Sequence, residues 1–292
     1  MNRITFIDTE INPINNRILD IGAVRDNGAE FHSAYIREFI DFIRGSEYIC
    51  GHNILNHDLK YIQNAITDAG ISNEYVIDTL FLSPLLFPVK PYHSLLKDDK
   101  LITDEFNNPL NDSMKARDLL NDEVAAFKRL DDDMKRIFFL LLNDKREFKA
   151  FFSYTGYKIG NDDLETLIRT RFHGLVCENA DIGKLIREHP IELSYCLALI
   201  KTGRKDSITP PWVVRTYSNV EQVMRLLKNT RCIPGCAYCN EAIDIHKGLK
   251  KFFGFDSFRT YAGEPLQEMA VRAAVNNKSL LVVFPTGGGK SV

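Results

Sequence analysis

The chain has no strong charge of either sign and no long apolar run. Its 37 Lys and Arg residues nearly balance 39 Asp and Glu residues, and the formal net charge is −2. No global basic field therefore attracts nucleic acid, and such binding would have to come from local patches. The apolar run at 137–142 is soon followed by charges, and acidic residues come too early for a secretory signal. We expect a cytoplasmic protein without membrane association.

Cysteine is scarce and unevenly distributed. The chain has 6 cysteines among 292 residues, and three of them, Cys232, Cys236 and Cys239, are crowded into one short stretch. This distribution favours a metal site in a reducing compartment over a disulfide framework. Internal repeats and low-complexity tracts are also lacking. The 45% hydrophobic content is sufficient for the cores of two or more domains.

The first 130 residues alternate between strand and helix patterns, which predicts an α/β domain. Short β-prone stretches predict strands at 4–10, 18–24, 31–35, 48–53 and 76–80. The turn Asp26-Asn27-Gly28 is typical of a hairpin between the second and third strands. Apolar residues at helical spacing predict one helix that includes Leu55, Leu59 and Ile62 and another over 115–130.

Acidic residues end the first predicted strand. Asp8 and Glu10 are two positions apart, so their side chains point to the same face of the strand. Two adjacent carboxylates repel each other, and a hard divalent cation relieves that repulsion. Taken alone, the pair is more typical of a strand that simply ends in exposed acids. Two further acids strengthen the metal interpretation: Asp58 follows a glycine turn, and Asp112 opens the helix predicted at 115–130.

These acids and their surroundings resemble the DEDD (DnaQ-like) 3′–5′ exonuclease superfamily. The resemblance covers about residues 1–130 and implies a ribonuclease H-like mixed sheet flanked by helices. It is carried by Ile7-Asp8-Thr9-Glu10, Gly51-His52-Asn53, Asp58 and Asp112, with neighbouring landmarks at 77–80 and 92–95. By resemblance, Asp8, Glu10, Asp58 and Asp112 are the catalytic ligands of two Mg²⁺ or Mn²⁺ ions that hydrolyse a phosphodiester. Asp118 is a poorer fourth acid because it lies too far into the helix.

The proton acceptor of the superfamily is missing. Its two usual positions are Asn107 and Asn108 here, and an amide is not a general base. One hypothesis is an active exonuclease that uses metal-bound hydroxide alone, or His93 or His57, as base. The other is a weakly active or inactive nuclease-fold module that presents DNA ends. We favour activity, because a pure binding module has little use for four carboxylates.

The middle of the chain predicts a helical connector followed by a zinc segment. Residues 131–230 contain helical patterns at 134–152, 162–172, 190–201 and 219–228. In the segment 231–247, three thiols and one further ligand predict a structural Zn²⁺ site. His246 is the preferred fourth ligand, and Asp244, Cys196 and Cys177 are alternatives. A redox-active cysteine pair is the competing interpretation.

The end of the chain has a phosphate-loop pattern. A buried strand is predicted at 280–284, followed by a loop whose glycines, lysine and serine suit phosphate and Mg²⁺. The Pro-Thr-Gly form resembles superfamily 2 helicases, and residues 252–259 with Gln267 resemble the adenine-recognition motif of the RecQ family. More residues separate Arg259 from Gln267 than is usual there. The resemblance implies that ATP is bound by Gln267, Thr286, Gly287, Gly288, Gly289, Lys290 and Ser291.

Together these patterns predict an exonuclease domain fused to the beginning of a helicase. Residues 248–292 would start a RecA-like lobe, and the chain stops before the further motifs that productive ATP hydrolysis needs. Because a RecQ-like motor works on DNA, we expect the substrate to be DNA, as single strands or 3′ ends. DNA repair is one role compatible with that substrate.

Overall fold

The computed structural model describes residues 3–90, 93, 108–160, 162–203, 208–232, 235–261, 263–276 and 279–283. The chain divides into two compact units. The first comprises Met1–Leu164 and Leu197–Thr216, and the second comprises Glu165–Cys196 and Tyr217–Val292. This division differs from the four consecutive segments predicted from the sequence, because the chain passes from the first unit to the second and back.

One mixed sheet forms the centre of the first unit. Its strand order is β3-β2-β1-β4-β5. β1 is antiparallel to β2 and parallel to β4, while β2 pairs antiparallel with β3 and β4 pairs parallel with β5. The α/β prediction is confirmed. The strands are β1 (Ile4–Ile11), β2 (Ile18–Arg25), β3 (Glu30–His32), β4 (Tyr48–Gly51) and β5 (Val76–Asp78).

Helices make up most of the remaining described structure. A π-helical turn, Arg225–Asn229, follows α11 directly. In chain order the α-helices are α1 (Ile36–Ile43), α2 (Leu59–Asp68), α3 (Thr79–Leu86), α4 (Pro109–Arg129), α5 (Asp132–Leu142), α6 (Arg146–Thr155), α7 (Leu164–Arg171), α8 (Ile182–Glu188), α9 (Pro190–Thr202), α10 (Pro211–Thr216), α11 (Val220–Met224), α12 (Ala237–Ala242), α13 (Ile245–Phe253) and α14 (Leu266–Val275).

Helices cover both faces of the sheet. Alternate residues of β1 point to opposite faces and so contact different helices. Ile7 is fully buried in an apolar cluster that includes Phe39 of α1 and Ile62 of α2. Ile4 and Phe6 face the other side, where they line a cavity together with residues of α4 and α6. The side chains of Asp8 and Glu10 share the parity of Ile4 and Phe6 and therefore lie on the α4 side.

Gly22 allows α4 to lie directly against the sheet. A Cβ atom at Gly22 would be only 2.0 Å from the amide nitrogen of Leu110 and 2.1 Å from the carbonyl carbon of Pro109. Gly22 is the cross-strand partner of Asp8 in the β1–β2 pair. Partners in an antiparallel pair share a face of the sheet. The first turn of α4 therefore lies beside Asp8.

α4 begins earlier than the predicted range 115–130, for two local reasons. Asn108 Oδ1 accepts a hydrogen bond from the backbone N–H of Leu110 at 3.0 Å, as an N-cap residue does. Pro109 occupies the first helical position, where its missing N–H costs nothing. The buried face includes Ala116 and Leu120. As a result Asp112 lies within the first turn of the helix.

The helix predicted at 134–152 is interrupted and forms α5 and α6. Asp131 caps α5 by accepting the N–H of Met134 at 3.0 Å. α5 ends at Leu142, and the side chain of the C-cap residue Asn143 donates to the carbonyl of Phe139. Both helices belong to the first unit. The hydroxyl of Tyr48 in β4, for example, is 2.9 Å from that of Ser153 in α6.

Hydrogen bonds between chain-distant residues join the helices of the second unit. The thiol of Cys196 donates to the carbonyl of Val220 at 3.4 Å. The hydroxyl of Tyr238 donates to the carbonyl of Lys228 at 3.1 Å. Among the described residues of the whole chain, no helix is long and apolar enough to cross a membrane.

The prediction of a buried strand at 280–284 is wrong for residues 280–283, the described part of that range. Leu281 and Val283 are 90% and 80% exposed, and residues 279–283 form no strand. A strand needs a neighbour for its backbone hydrogen bonds. Within the described part of the chain, no strand pairs with this segment.

Replacing Gly22 with Ala tests the contact between α4 and the sheet. We expect Gly22→Ala to lower the free energy of unfolding of the first unit by about 3 kcal/mol, because the added Cβ overlaps α4 backbone. The fluorescence of Trp212, the only Trp of the chain, reports on this unit during urea unfolding. Gly160→Ala is the matched control, since its Cβ would meet nothing within 4 Å. Equal stability of the two variants would contradict the predicted clash.

Candidate functional site

The acidic site consists of Asp8, Glu10, Asp58 and Asp112, the four residues predicted from the sequence. Asp8 and Glu10 project from the C-terminal half of β1 toward α4, and both are partly buried. The antiparallel register places Asp20 of β2 opposite Glu10, which adds a carboxylate that the sequence analysis did not identify. Asp20 accepts a hydrogen bond from the N–H of Ile21, and its Oδ2 lies 2.6 Å from Nε2 of His32.

Asp58 is fixed against the end of β1 by Thr9. Asp58 Oδ1 accepts the backbone N–H of Thr9 at 3.0 Å and the Thr9 hydroxyl at 2.6 Å. Both side chains are buried, and Asp58 is only 2% exposed. β4 pairs with β1 only as far as Phe6, so the backbone of Thr9 is left without a strand partner on that side. The carboxylate of Asp58 supplies the missing acceptor. Asp58 is thereby held at Thr9, the residue between Asp8 and Glu10 in β1.

Asp112 enters the acidic site from α4. It lies in the first turn of that helix, where its side chain is 17% exposed and 3.6 Å from the ammonium group of Lys115. The Gly22 contact brings this turn beside Asp8. The predicted acids thus lie on β1, at the residue before α2 and in the first turn of α4.

The donor set of the acidic site fits hard cations, because every predicted ligand atom is a carboxylate oxygen. Among the described residues, no three of these acids have carboxylate oxygens that all lie within 4.8 Å of one another.

The Gly51-His52-Asn53 turn is held by Asp78 at the end of β5. Asp78 accepts backbone N–H groups of Asn53 at 2.8 Å, Leu80 at 2.9 Å and Leu55 at 3.0 Å. Burial raises the pKa of Asp78 to about 7, against the lowering effect of those three donors. Nδ1 of His52 lies 2.9 Å from the hydroxyl of Thr79, and burial lowers the pKa of His52 to about 4. These groups shape the turn that leads to Asp58.

The residues considered as general base occupy different surroundings. Asn107 lies outside the described residues, and Asn108 caps α4. His93 is 6% exposed, its Nδ1 is 2.8 Å from the hydroxyl of Ser83, and burial lowers its pKa to about 4. His57 is half-exposed, with Nδ1 3.5 Å from Asp58 Oδ1, and the hydrogen bond with Asp58 raises its pKa. Of the two histidines, His57 is therefore the one at the acidic site that solvent can reach.

A separate candidate metal centre, the cysteine cluster, comprises Cys177, Cys232, Cys236 and Cys239. The four sulfur atoms all lie within 4.8 Å of one another, and Cys236 Sγ is 4.0 Å from Cys177 Sγ. Four cysteines this close can hold a metal ion such as zinc. All four are reduced in the structure.

The structure brings Cys177, one of the alternatives from the sequence, to the other three thiols. His246, the preferred fourth ligand, is not in the cluster, because its Nε2 is 3.3 Å from Glu268 and its ring packs on Phe258. Asp244 caps α13 by accepting the N–H of Lys247, and Cys196 is engaged with Val220. Sequence spacing could not distinguish these candidates, since Cys177 and Cys236 are 59 positions apart.

Hydrogen bonds position the thiols of the cysteine cluster. The backbone N–H groups of Cys236 and Cys239 donate to Cys232 Sγ at 3.1 Å and to Cys236 Sγ at 3.4 Å. Asn179 Nδ2 donates to Cys232 Sγ at 3.4 Å. Burial acts to raise the pKa of Cys232, but these donors outweigh it and lower that pKa to about 7. Burial raises the pKa of Cys177 and of Cys239.

The described part of 248–283 contains contacts between Arg259 and Gln267, the two residues of the predicted adenine motif. The backbones of Tyr261 and Glu264 exchange hydrogen bonds of 2.8 and 2.9 Å. The N–H of Arg259 donates to Gln267 Oε1 at 2.9 Å. Gln267 is 4% exposed. The other predicted nucleotide ligands, 286–291, lie outside the described residues.

Comparison with known proteins gives one local similarity to a helicase. No family model matches the chain, and no solved structure matches it. A stretch of 49 residues is 51% identical to part of ATP-dependent DNA helicase Q5 of Rattus norvegicus. This stretch covers 16% of the present chain and 5% of that protein. The chain thus spans a small fraction of the relative's length, and the similarity links a short part of it to a DNA helicase.

Thr9 variants test how Asp58 is held in the acidic site. Thr9→Val removes the hydroxyl donor but keeps the shape, so a buried carboxylate loses a hydrogen bond and the first unit should lose about 1–3 kcal/mol of unfolding free energy. Thr9→Ser keeps the donor and should be the more stable variant. Urea unfolding followed by Trp212 fluorescence measures both. Apolar burial alone would make Thr9→Val more stable than Thr9→Ser. If that order is measured, the role assigned to the hydroxyl is contradicted.

Proposed function

We propose that the chain is the N-terminal part of a DNA-processing enzyme, in which a DEDD-type 3′–5′ exonuclease domain precedes a RecQ-like helicase. The nuclease domain has a ribonuclease H-like fold and hydrolyses phosphodiester bonds of DNA, acting on single strands or 3′ ends. The proposal is supported by the placement of Asp8 and Glu10 on β1, by the hydrogen bonds that hold Asp58 at Thr9 of the same strand, and by the packing of the first turn of α4, which carries Asp112, against Gly22 opposite Asp8.

The proposed reaction assigns each acid a defined task. Asp8 and Glu10, fixed by their strand, and Asp112, fixed by its helix, supply oxygen ligands on the α4 side of the sheet. Asp58, held by Thr9, supplies the ligand at the end of β1. Held by these carboxylates, two Mg²⁺ or Mn²⁺ ions would supply Lewis acidity for the attacking water and the leaving oxygen. In this assignment the protein positions the ions through carboxylates whose backbones are rigid.

Proton transfer distinguishes an active enzyme from a binding module. In the active form His57 is the side chain available to accept a proton, since Asn108 is committed to its cap and His93 is buried. Loss of a positioned base typically costs about 10²–10⁴ in rate. The second candidate function, a weakly active or inactive module that presents DNA ends to the helicase, is favoured by the Asn108 cap. The concentration of four acids favours catalysis.

The helicase assignment rests on the short similarity to a DNA helicase and on the phosphate-loop sequence at 285–291. By that assignment residues 248–292 begin a RecA-like lobe that binds ATP through Gln267, Thr286, Gly287, Gly288, Gly289, Lys290 and Ser291. The helicase likeness makes DNA, rather than RNA, the proposed substrate. We assign Zn²⁺ to the cysteine cluster, and a metal site built from clustered cysteines favours a reducing compartment such as the cytoplasm.

Nuclease assays with paired acid variants test the proposal. We expect the wild-type chain to shorten a 5′-labelled single-stranded DNA from its 3′ end in Mg²⁺ or Mn²⁺. Asp8→Asn and Asp112→Asn should each lower the rate at least about 100-fold, since losing even an outer-shell partner of a metal costs about 10–100-fold. Asp118→Asn is the matched control, because Asp118 is a 68% exposed acid of the same helix.

Each outcome of this assay discriminates between the candidates. Equal cleavage by the wild type and the Asp8 and Asp112 variants would refute the assigned acids. No cleavage by any of them, with DNA binding retained in fluorescence anisotropy, would support the presenting module. An equal loss in Asp118→Asn would place the fourth acid at that position. A phosphorothioate at the 3′ end should block shortening, which verifies the direction.

A further inference from the structure

The cysteine cluster has the dimensions of a metal centre rather than of a disulfide. Four thiolates at about 2.3 Å from a tetrahedral Zn²⁺ are about 3.8 Å from one another. The observed spacing, 4.0 Å between Cys236 and Cys177 and at most 4.8 Å within the cluster, needs only a small contraction to reach that geometry. A disulfide needs sulfurs at about 2.05 Å and would join only two of the four.

The surroundings of the cluster are arranged to accept sulfur ligands in ionised form. The N–H groups of Cys236 and Cys239 and the amide of Asn179 all donate to sulfur. Such outer-shell donors orient metal ligands and stabilise their charge. Cys236 also stands at the N-terminus of α12, and three of the four cysteines are buried. A buried group of unligated thiolates would repel each other, and a divalent cation removes that cost.

The loop that carries Cys177 is fixed independently of the other three cysteines. The backbone N–H of Cys177 donates to the carbonyl of Leu227 at 2.6 Å. Arg169 of α7 donates to the carbonyls of Glu178 at 2.9 Å and Ala180 at 3.1 Å. The loop between α7 and α8 is therefore held where its thiol meets those of the 232–239 segment.

We propose that Cys177 is the fourth ligand of a closed tetrathiolate Zn²⁺ centre that cross-links the α7–α8 loop to Cys232 and to the start of α12, which carries Cys236 and Cys239. The centre joins ligands that are 59 positions apart and so ties the two parts of the second unit, Glu165–Cys196 and Tyr217–Val292. It leaves no open coordination position, so its role is structural. This inference deepens the assignment of Zn²⁺ and does not depend on the nuclease assignment.

Metal analysis of the full 292-residue chain tests this centre. Protein purified with Zn²⁺ and a thiol reductant should retain one Zn²⁺ per chain after gel filtration, measured by mass spectrometry of the metal. Cys177→Ser should bind Zn²⁺ at least about tenfold more weakly. Two matched controls should retain the wild-type content: His246→Ala, which removes the ligand preferred from sequence, and Cys196→Ser, a buried cysteine outside the cluster.

A second measurement on the wild-type chain avoids relying on a variant that fails to fold. Native alkylation should spare Cys177, Cys232, Cys236 and Cys239 while zinc is bound and label all four after chelation. Cys50 and Cys196 serve as internal references, because burial shields them in both states. Substitution with Co²⁺ should give the sulfur-to-metal charge-transfer intensity of four thiolates.

Three results would overturn the proposal. Loss of zinc in His246→Ala with retention in Cys177→Ser would make the histidine the fourth ligand. Wild-type protein that holds no zinc, with two cysteines recovered as a disulfide, would make the segment a redox pair. Chelation that exposes Cys232, Cys236 and Cys239 but leaves Cys177 unchanged would exclude Cys177. Nuclease activity is not a readout here, so the two assignments fail independently.

Discussion

The contact between the first turn of α4 and the missing side chain of Gly22 determines the arrangement of the acidic site. Because Gly22 has no Cβ, the backbone of Pro109 and Leu110 reaches van der Waals distance of the sheet. The antiparallel register places that contact opposite Asp8. A helix held one side-chain layer farther away would carry Asp112 out of reach of β1. The site thus depends on backbone packing at a residue that has no chemistry of its own.

Buried hydrogen bonds complete this arrangement on the other side of β1. Beyond the point where β4 stops pairing with β1, the buried N–H of Thr9 has no strand partner. Asp58 supplies the acceptor for this N–H. Asp78 does the same for three backbone N–H groups around the Gly51-His52-Asn53 turn. The acids of this region therefore fall into two kinds: those that satisfy the backbone, and those that face the α4 side of the sheet. Asp58 belongs to the first kind, since it accepts the N–H and hydroxyl groups of Thr9, and this couples its position to the fold.

In the second unit, the side chains that meet from distant segments carry sulfur instead of oxygen. Its helices are short, and hydrogen bonds such as Cys177 to Leu227 and Tyr238 to Lys228 join segments that are far apart in sequence. The cysteine cluster lies at the junction of those segments. A soft thiolate set in one unit and a hard carboxylate set in the other select different metals, so the two centres would not compete for the same ion.

Local sequence determined the elements, and tertiary structure decided which side chains meet. Short apolar, β-prone stretches gave β1, β2, β4 and β5; β4 and β5 are buried throughout because both faces of the sheet are covered. Asp8 and Glu10 were predictable as neighbours since one strand fixes both. The start of α4, the opposition of Asp20 to Glu10 and the choice of Cys177 over His246 were not, because each depends on how separate segments pack. Residues 280–283 show the reverse: an apolar pattern predicts a strand, but a strand exists only where another strand satisfies its backbone.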